Sequence, residues 1–154
     1  MNKKILTLFI ILNILSHCGF TPVHLQKNNV NFSITNIKFD GDKTINKYLK
    51  SNLNNYINNN YSKQFEIEIN TKYQKNIISK DKSAKITDYQ LISTTFFKVS
   101  YNNLVKTFSI SEKKSMNNIN DKFEEQKYER TIKQNFASTT SNKLISELLL
   151  LNDN

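Results

Sequence analysis

Residues 65–73 alternate strictly. Phe65, Ile67, Ile69, Thr71 and Tyr73 fall on one parity, and Glu66, Glu68, Asn70 and Lys72 on the other. Successive side chains of a strand point to opposite faces, so this run predicts a strand with one buried and one wet face. An earlier run alternates at Val30, Phe32 and Ile34, then changes phase at Ile37 and Phe39. A one-residue phase change predicts a bulge, or the end of the strand, near Asn36. Between the two runs, Ile45, Tyr48, Leu49, Leu53, Tyr56 and Ile57 recur at offsets of 0, 3, 4, 8, 11 and 12. That spacing is one apolar stripe of an amphipathic helix. Gly41 and Asp42 are its turn and cap, and Asn58-Asn59-Asn60 its end.

Further along, residues 75–85 are polar and lysine-rich and read as a connector. Residues 89–101 form a long strand with Tyr89, Leu91, Phe97 and Val99 on one face. Ile92 and Phe96 lie on the other, which predicts cover there too, from the chain itself or from a partner. Asn102-Asn103 is a tight hairpin turn, because asparagine tolerates the left-handed backbone such turns require. The return strand covers residues 104–111, and residues 115–120 are a loop. Asp121 caps a long helix running to about Leu151, with Glu124 three residues on as in a capping box. Phe123, Ile132, Phe136, Leu144, Ile145, Leu148 and Leu149 supply its buried side. The order strand, helix, three strands, helix defines an α+β fold: a four-stranded mixed sheet with two helices on one face, β-α-β-β-β-α.

The N-terminus follows a different pattern. Asn2-Lys3-Lys4 precedes an apolar run over residues 5–15, broken at Asn13, and then comes Ser16-His17-Cys18. Basic start, short apolar core and cleavage region are the parts of an export signal. The core's 11 residues fall well short of the roughly 20 that a membrane-spanning helix needs. Cleavage before Cys18 would leave a thiol at the new N-terminus for capping with lipid. A plain export signal with an incidental cysteine is the alternative, and His17 is bulkier than the Gly, Ala or Ser usual before a lipidated cysteine. The organisation is a lipoprotein signal over residues 1–17, a flexible tether over 18–29 containing Pro22, and one domain over 30–151.

The chain carries 22 Lys and Arg against 13 Asp and Glu, a net charge of +9. Losing Lys3 and Lys4 and no acid with the leader lowers +9 to +7. Such a balance favours phosphate-bearing partners, and export turns the expectation from nucleic acid to the anionic envelope. With one cysteine in the sequence no internal disulfide is possible. Catalytic sets are missing: His17 leaves with the leader and His24 sits in the tether, so no nucleophile–histidine–acid group is expected. Glu66 and Glu68 read as a solvated strand face. Two glycines, Gly19 and Gly41, cannot build a phosphate-cradling loop, and no metal-ligand spacing occurs. Neither enzyme, cofactor nor metal is expected, and the lysines remain as the candidate binding groups. Lys75, Lys80, Lys82 and Lys85 cluster in the connector, Lys98 and Lys106 flank the hairpin, and Lys113 and Lys114 end the last strand.

The start Cys18-Gly19-Phe20-Thr21-Pro22 resembles the Cys-Gly-Phe-x-Pro opening of the alphaproteobacterial LptE family of lipopolysaccharide-assembly lipoproteins. The layout is similar throughout. The stretch from Tyr89-Gln90-Leu91 to Phe123-Glu124-Glu125 and Tyr128-Glu129-Arg130 falls where that family has its last strands and the opening of its last helix. His17, and a final helix poor in alanine and arginine, depart from the pattern. The resemblance implies a non-enzymatic outer-membrane lipoprotein on the periplasmic face, held in the membrane by lipid on Cys18. Its partners would be lipopolysaccharide and the LptD β-barrel, with no nucleic acid. By position, lipopolysaccharide binding is expected at Lys75, Lys80, Lys82 and Lys85, with Lys113 and Lys114 second. A free-standing structural or scaffolding envelope lipoprotein is the alternative.

Overall fold

A computed structural model describes residues 31–57 and 60–152. The expected leader, Cys18 and the tether lie outside the described residues, as do Val30, Asn58 and Asn59. The elements are β1 (Phe32–Gly41), α1 (Lys43–Leu53), a 3-10 turn (Asn54–Tyr56), β2 (Lys63–Lys80), β3 (Ile86–Tyr101), β4 (Leu104–Asn117) and α2 (Lys122–Asn152). The sheet runs β1-β2-β3-β4, with β1 parallel to β2 and the other pairs antiparallel. This is the mixed four-stranded sheet and the β-α-β-β-β-α order that the patterning predicts.

The phase change in β1 is a bulge. Ile34 pairs with Phe65 and Asn36 with Glu66, leaving Thr35 as the extra residue. Because of it, Phe32 and Ile34 before the bulge and Ile37 and Phe39 after it stand opposite inward-facing residues of β2. Gly41 then turns the chain at a φ of +91°, with its α-carbon against β2: a β-carbon there would lie 2.0 Å from the Thr71 carbonyl oxygen. Asp42 caps α1 by accepting a hydrogen bond from the Ile45 N–H at 2.9 Å.

The helices share one face of the sheet. Ile45, Leu49 and Leu53 of α1 and Ile132, Phe136, Ala137, Leu144 and Leu148 of α2 are buried. Beneath them lie Phe65, Ile67 and Ile69 of β2, Leu91, Phe97 and Val99 of β3, and Ile110 and Met116 of β4. An aromatic group closes the end where β2 begins: Phe32, Phe65 and Tyr101 pack in series at centroid distances of 5.5 and 5.3 Å. Fully burying a residue of this size is worth about 1.5–3 kcal/mol, so this face supplies most of the driving force.

Four expectations need correction. The connector at 75–85 is mostly strand, with β2 and β3 pairing out to Lys80 and Ile86 and only residues 81–85 turning. The strand is invisible as alternation because neither face is covered beyond Lys75, so both faces are polar or mixed. Likewise β4 does not stop before a loop at 115–120 but runs to Asn117, and Met116 is buried opposite Tyr89. As an edge strand, β4 needs few apolar residues to hold its place. Phe123, expected in the core, is 72% exposed, because the first turn of α2 presents Glu125 to Lys75 of β2 and leaves Phe123 on its outer side. The second face of β3 is open: Phe96 is 43% exposed and no described helix lies over it.

Candidate functional site

Two features decide what the β2–β3 hairpin presents. The first is the point where its cover ends. Lys75 faces inward and meets α2, giving hydrogen bonds to Glu125 at 2.5 Å and Glu129 at 2.9 Å. Lys122 reaches the other Glu125 oxygen at 2.6 Å. Tyr73, one inward position back, donates to Glu129 at 2.8 Å. Lys133 sits 3.8 Å over the Tyr73 ring and pairs with Asp42 at 2.9 Å. The network ties the cap of α1, the middle of β2 and the first turns of α2 together. Lys122 and Lys75 hold the Glu125 carboxyl below its usual range, against the cost of its burial. Burial opposes the charge on Lys75, but the two glutamates outweigh it and raise its pKa. Burial first, and then the hydrogen bond to Glu129, push the Tyr73 hydroxyl far up.

The second feature is the free end. From Asn76 to Lys80 every residue of β2 is exposed. Asp81 builds the turn: its Oδ1 accepts from the Ser83 N–H at 2.8 Å and the Lys85 N–H at 2.9 Å, while Ala84 takes a φ of +61°. This places the exposed side chains of Lys80, Lys82 and Lys85 around one tip, with Ile77 and Ile78 half-exposed just below it on opposite faces. The isoleucines escape a reading that looks only for charge. Their signal is an apolar pair inside a lysine-rich stretch that no helix covers.

The six lysines expected to act together are thus split three ways. Lys80, Lys82 and Lys85 share the tip, and Lys75 is engaged by glutamates. Lys113 and Lys114 are exposed on β4, paired with Ile92 and Leu91. Lys114 lies five ladder steps from the Lys80–Ile86 pair, about 17 Å at 3.3–3.4 Å per residue. There Lys113 and Lys114 border a cleft of about 350 Å³ between β4 and α2, with Tyr128, Asn135 and Phe136. A broader concavity of about 590 Å³ lies on the open sheet face around Phe96, Asn70, Asp40 and Lys98. Among the described residues no three His, Cys, Asp or Glu side chains gather as metal ligands. No described helix is long and apolar enough to cross a membrane.

This fold, a four-stranded mixed sheet with both helices on one face, is similar to that of solved bacterial lipoproteins. Rare lipoprotein B of Shewanella oneidensis superposes with a TM-score of 0.58 at 11% identity, covering 77% of this chain and 99% of that one. Lipoprotein B of Nitrosomonas europaea gives 0.55 at 12%, covering 79% and 90%. A lipoprotein of Caulobacter crescentus gives 0.51 at 8%, covering 75% and 86%. At these identities the likeness is one of fold. No protein-family profile and no curated protein sequence matches the chain.

Proposed function

We propose that the chain is a lipid-anchored envelope lipoprotein of the LptE kind, acting without catalysis. It binds lipopolysaccharide at the β2–β3 hairpin and assembles with an LptD-type β-barrel at the periplasmic face of the outer membrane. The observation that carries this reading is the shared lipoprotein B fold with a free basic and apolar hairpin tip. Solved lipoproteins share the fold, and the Cys18-Gly19-Phe20-Thr21-Pro22 start supports the same reading. The chemistry is complementary. Lipopolysaccharide carries phosphates beside acyl chains, and the tip sets Lys80, Lys82 and Lys85 beside Ile77 and Ile78. Mobile ammonium groups take phosphate as point charges, and the isoleucines offer the adjoining chains an apolar contact. Lys113 and Lys114 form a second, weaker site along β4.

Replacing Lys80, Lys82 and Lys85 together with Glu should weaken lipopolysaccharide binding about tenfold or more, and more steeply at low salt. Reversing Lys43, Lys47 and Lys50 on the exposed side of α1 makes the same change in net charge and should leave binding nearly unaltered. Equal losses in the two triple variants would reduce the site to a net-charge effect. A tagged chain purified from membranes should bring a large outer-membrane barrel with it, and recovery of the lipoprotein alone would count against the assembly role.

A further inference from the structure

The helix-free face of the sheet carries a trough. Its two banks are rows of side chains that cross the strands in register. Lys38, Glu68, Lys98 and Thr107 pair in series along one bank. Asp40, Asn70, Phe96 and Ser109 pair along the other. Between the banks Ile69 and Phe97 turn their side chains into the core, so the floor is backbone. Two residues along each strand set the banks about 7 Å apart, and four strands give a length of about 14 Å. The trough has a volume of about 590 Å³.

Its chemistry is unlike that of the hairpin tip. The cations are already matched by acids: Lys98 reaches Glu68 at 3.4 Å, and Lys38 stands opposite Glu68 in the ladder. The Asn70 amide donates to Asp40 at 2.6 Å. A phosphate gains little where each ammonium already stands beside a carboxylate. Phe96 is the one apolar side chain on the banks, 43% exposed even with Lys72 at 5.4 Å from its ring centroid. A single ring is too little for an acyl chain. A protein contact is also a poor match, since its centre is rich in packed apolar side chains and depleted of charge. What fits is a ligand with hydroxyls around its edge and an apolar face of C–H bonds, which is a sugar ring. Its C–H groups pack on the negative face of an aromatic ring. Carboxylates, amides and ammonium groups take its hydroxyls in hydrogen bonds.

We propose that this trough binds the saccharide of lipopolysaccharide, with Phe96 as the stacking platform and Asp40, Glu68 and Asn70 as hydroxyl partners. The proposal rests on the lipopolysaccharide reading above. The surface between trough and tip selects this saccharide over other envelope glycans. From Asn70 to Lys80, β2 spans about 33 Å at 3.3 Å per residue. Over that stretch the open face pairs Asn76 with Gln90, Gln74 with Ile92 and Lys72 with Thr94. Apart from Lys72 and Ile92 these are hydrogen-bonding groups without charge. A saccharide chain leaving phosphates held at the tip meets this polar track, and the track ends in the trough. Assembly with a barrel is undisturbed, because a trough on one sheet face leaves both helices and both sheet edges for the barrel to contact.

The test offers the purified mature chain two lipopolysaccharides: a rough form with a complete core oligosaccharide and a deep-rough form lacking it. The parent should bind the rough form several-fold more tightly. Phe96→Ala should abolish that preference and leave affinity for the deep-rough form unchanged. Phe96→Tyr keeps the ring and should keep the preference. Dephosphorylated core oligosaccharide, released from its lipid, should shift the amide NMR signals of Asn70 and Lys98 in the parent and not in Phe96→Ala. No preference in the parent, or a preference that Phe96→Ala retains, would overturn the trough and leave the lipopolysaccharide reading standing. Loss of the barrel from such a Phe96→Ala chain would assign the face to the barrel instead. Soluble peptidoglycan fragments that shift the same amides at lower concentration would overturn the choice of saccharide. A parent that binds neither lipopolysaccharide would overturn reading and trough together, so the failures are told apart.

Discussion

At the scale of single residues, Gly41 and Glu125 carry more than their size suggests. Gly41 is needed twice, for its positive φ and for the absent β-carbon that Thr71 leaves no room for. Gly41→Ala should cost well over about 1 kcal/mol, the loss expected where alanine is forced to positive φ, and lower Tm by several degrees in a thermal melt. Glu125 acts through charge. Its carboxyl titrates below its ordinary value of 4.5 in the fold and returns to it on unfolding. Its stabilisation is therefore present above about pH 4.5 and drains as the pH falls through the depressed folded value. Lys75 has the opposite sense: its contribution stands below its ordinary 10.5 and fades only as the pH rises through the raised folded value. Glu125→Gln should cost about 1–3 kcal/mol at pH 7, since Glu129 still engages Lys75. It should also flatten the loss of stability below about pH 4.5 in urea unfolding. An unchanged acid limb would show that other carboxylates dominate it.

At the scale of elements, the sequence was most legible where one face is buried and the other wet. The β2 alternation, the β1 phase change and the α1 stripe as far as Leu53 are direct signatures of burial and are in the structure. The expected helix stops short of Tyr56, which falls in the 3-10 turn, and of Ile57, which bridges to Ile34. Asn102-Asn103 was legible for a different reason: both residues hold positive φ, at 43° and 65°, as a tight turn demands. Illegible were the parts whose structure is not paid for by burial. Asn76 to Lys80 forms strand through backbone pairing and a hydrogen bond from the Thr87 hydroxyl to that of Ser79. In residues 112–117 of β4, Met116 is buried alone among polar neighbours, too little to show as alternation. The lysines were legible as a basic cluster but not as a split one, since only the meeting with α2 separates Lys75 from Lys80. This predicts that the hairpin tip is nearly dispensable for folding. Replacing residues 78–88 by Asn-Gly keeps the Ile77–Tyr89 pair and gives up the bonds from Asn118 to Thr87 and Ile86. Tm should fall by only a few degrees, while lipopolysaccharide binding is lost. A collapse of the melt would mean that the tip is part of the folding unit.

At the scale of the whole molecule, the proposed function assigns folding and placement to separate parts of the chain. The described residues 31–57 and 60–152 hold the four-stranded sheet, both helices and a buried core between them. In the proposed reading Cys18 acts by location, which predicts that its loss leaves the domain's stability untouched. Cys18→Ser removes the thiol that lipid would cap and keeps a side chain of nearly the same size. Expressed in a host with lipoprotein processing, it should give the same unfolding midpoint in urea as the parent. It should also leave the detergent-extracted outer-membrane fraction and lose co-purification with the barrel. The hairpin still carries Lys80, Lys82 and Lys85, so binding of lipopolysaccharide by the purified variant should be preserved. Retention of Cys18→Ser in the outer membrane would point to an anchor other than lipid. A lowered midpoint would instead draw the N-terminal segment into the folded core.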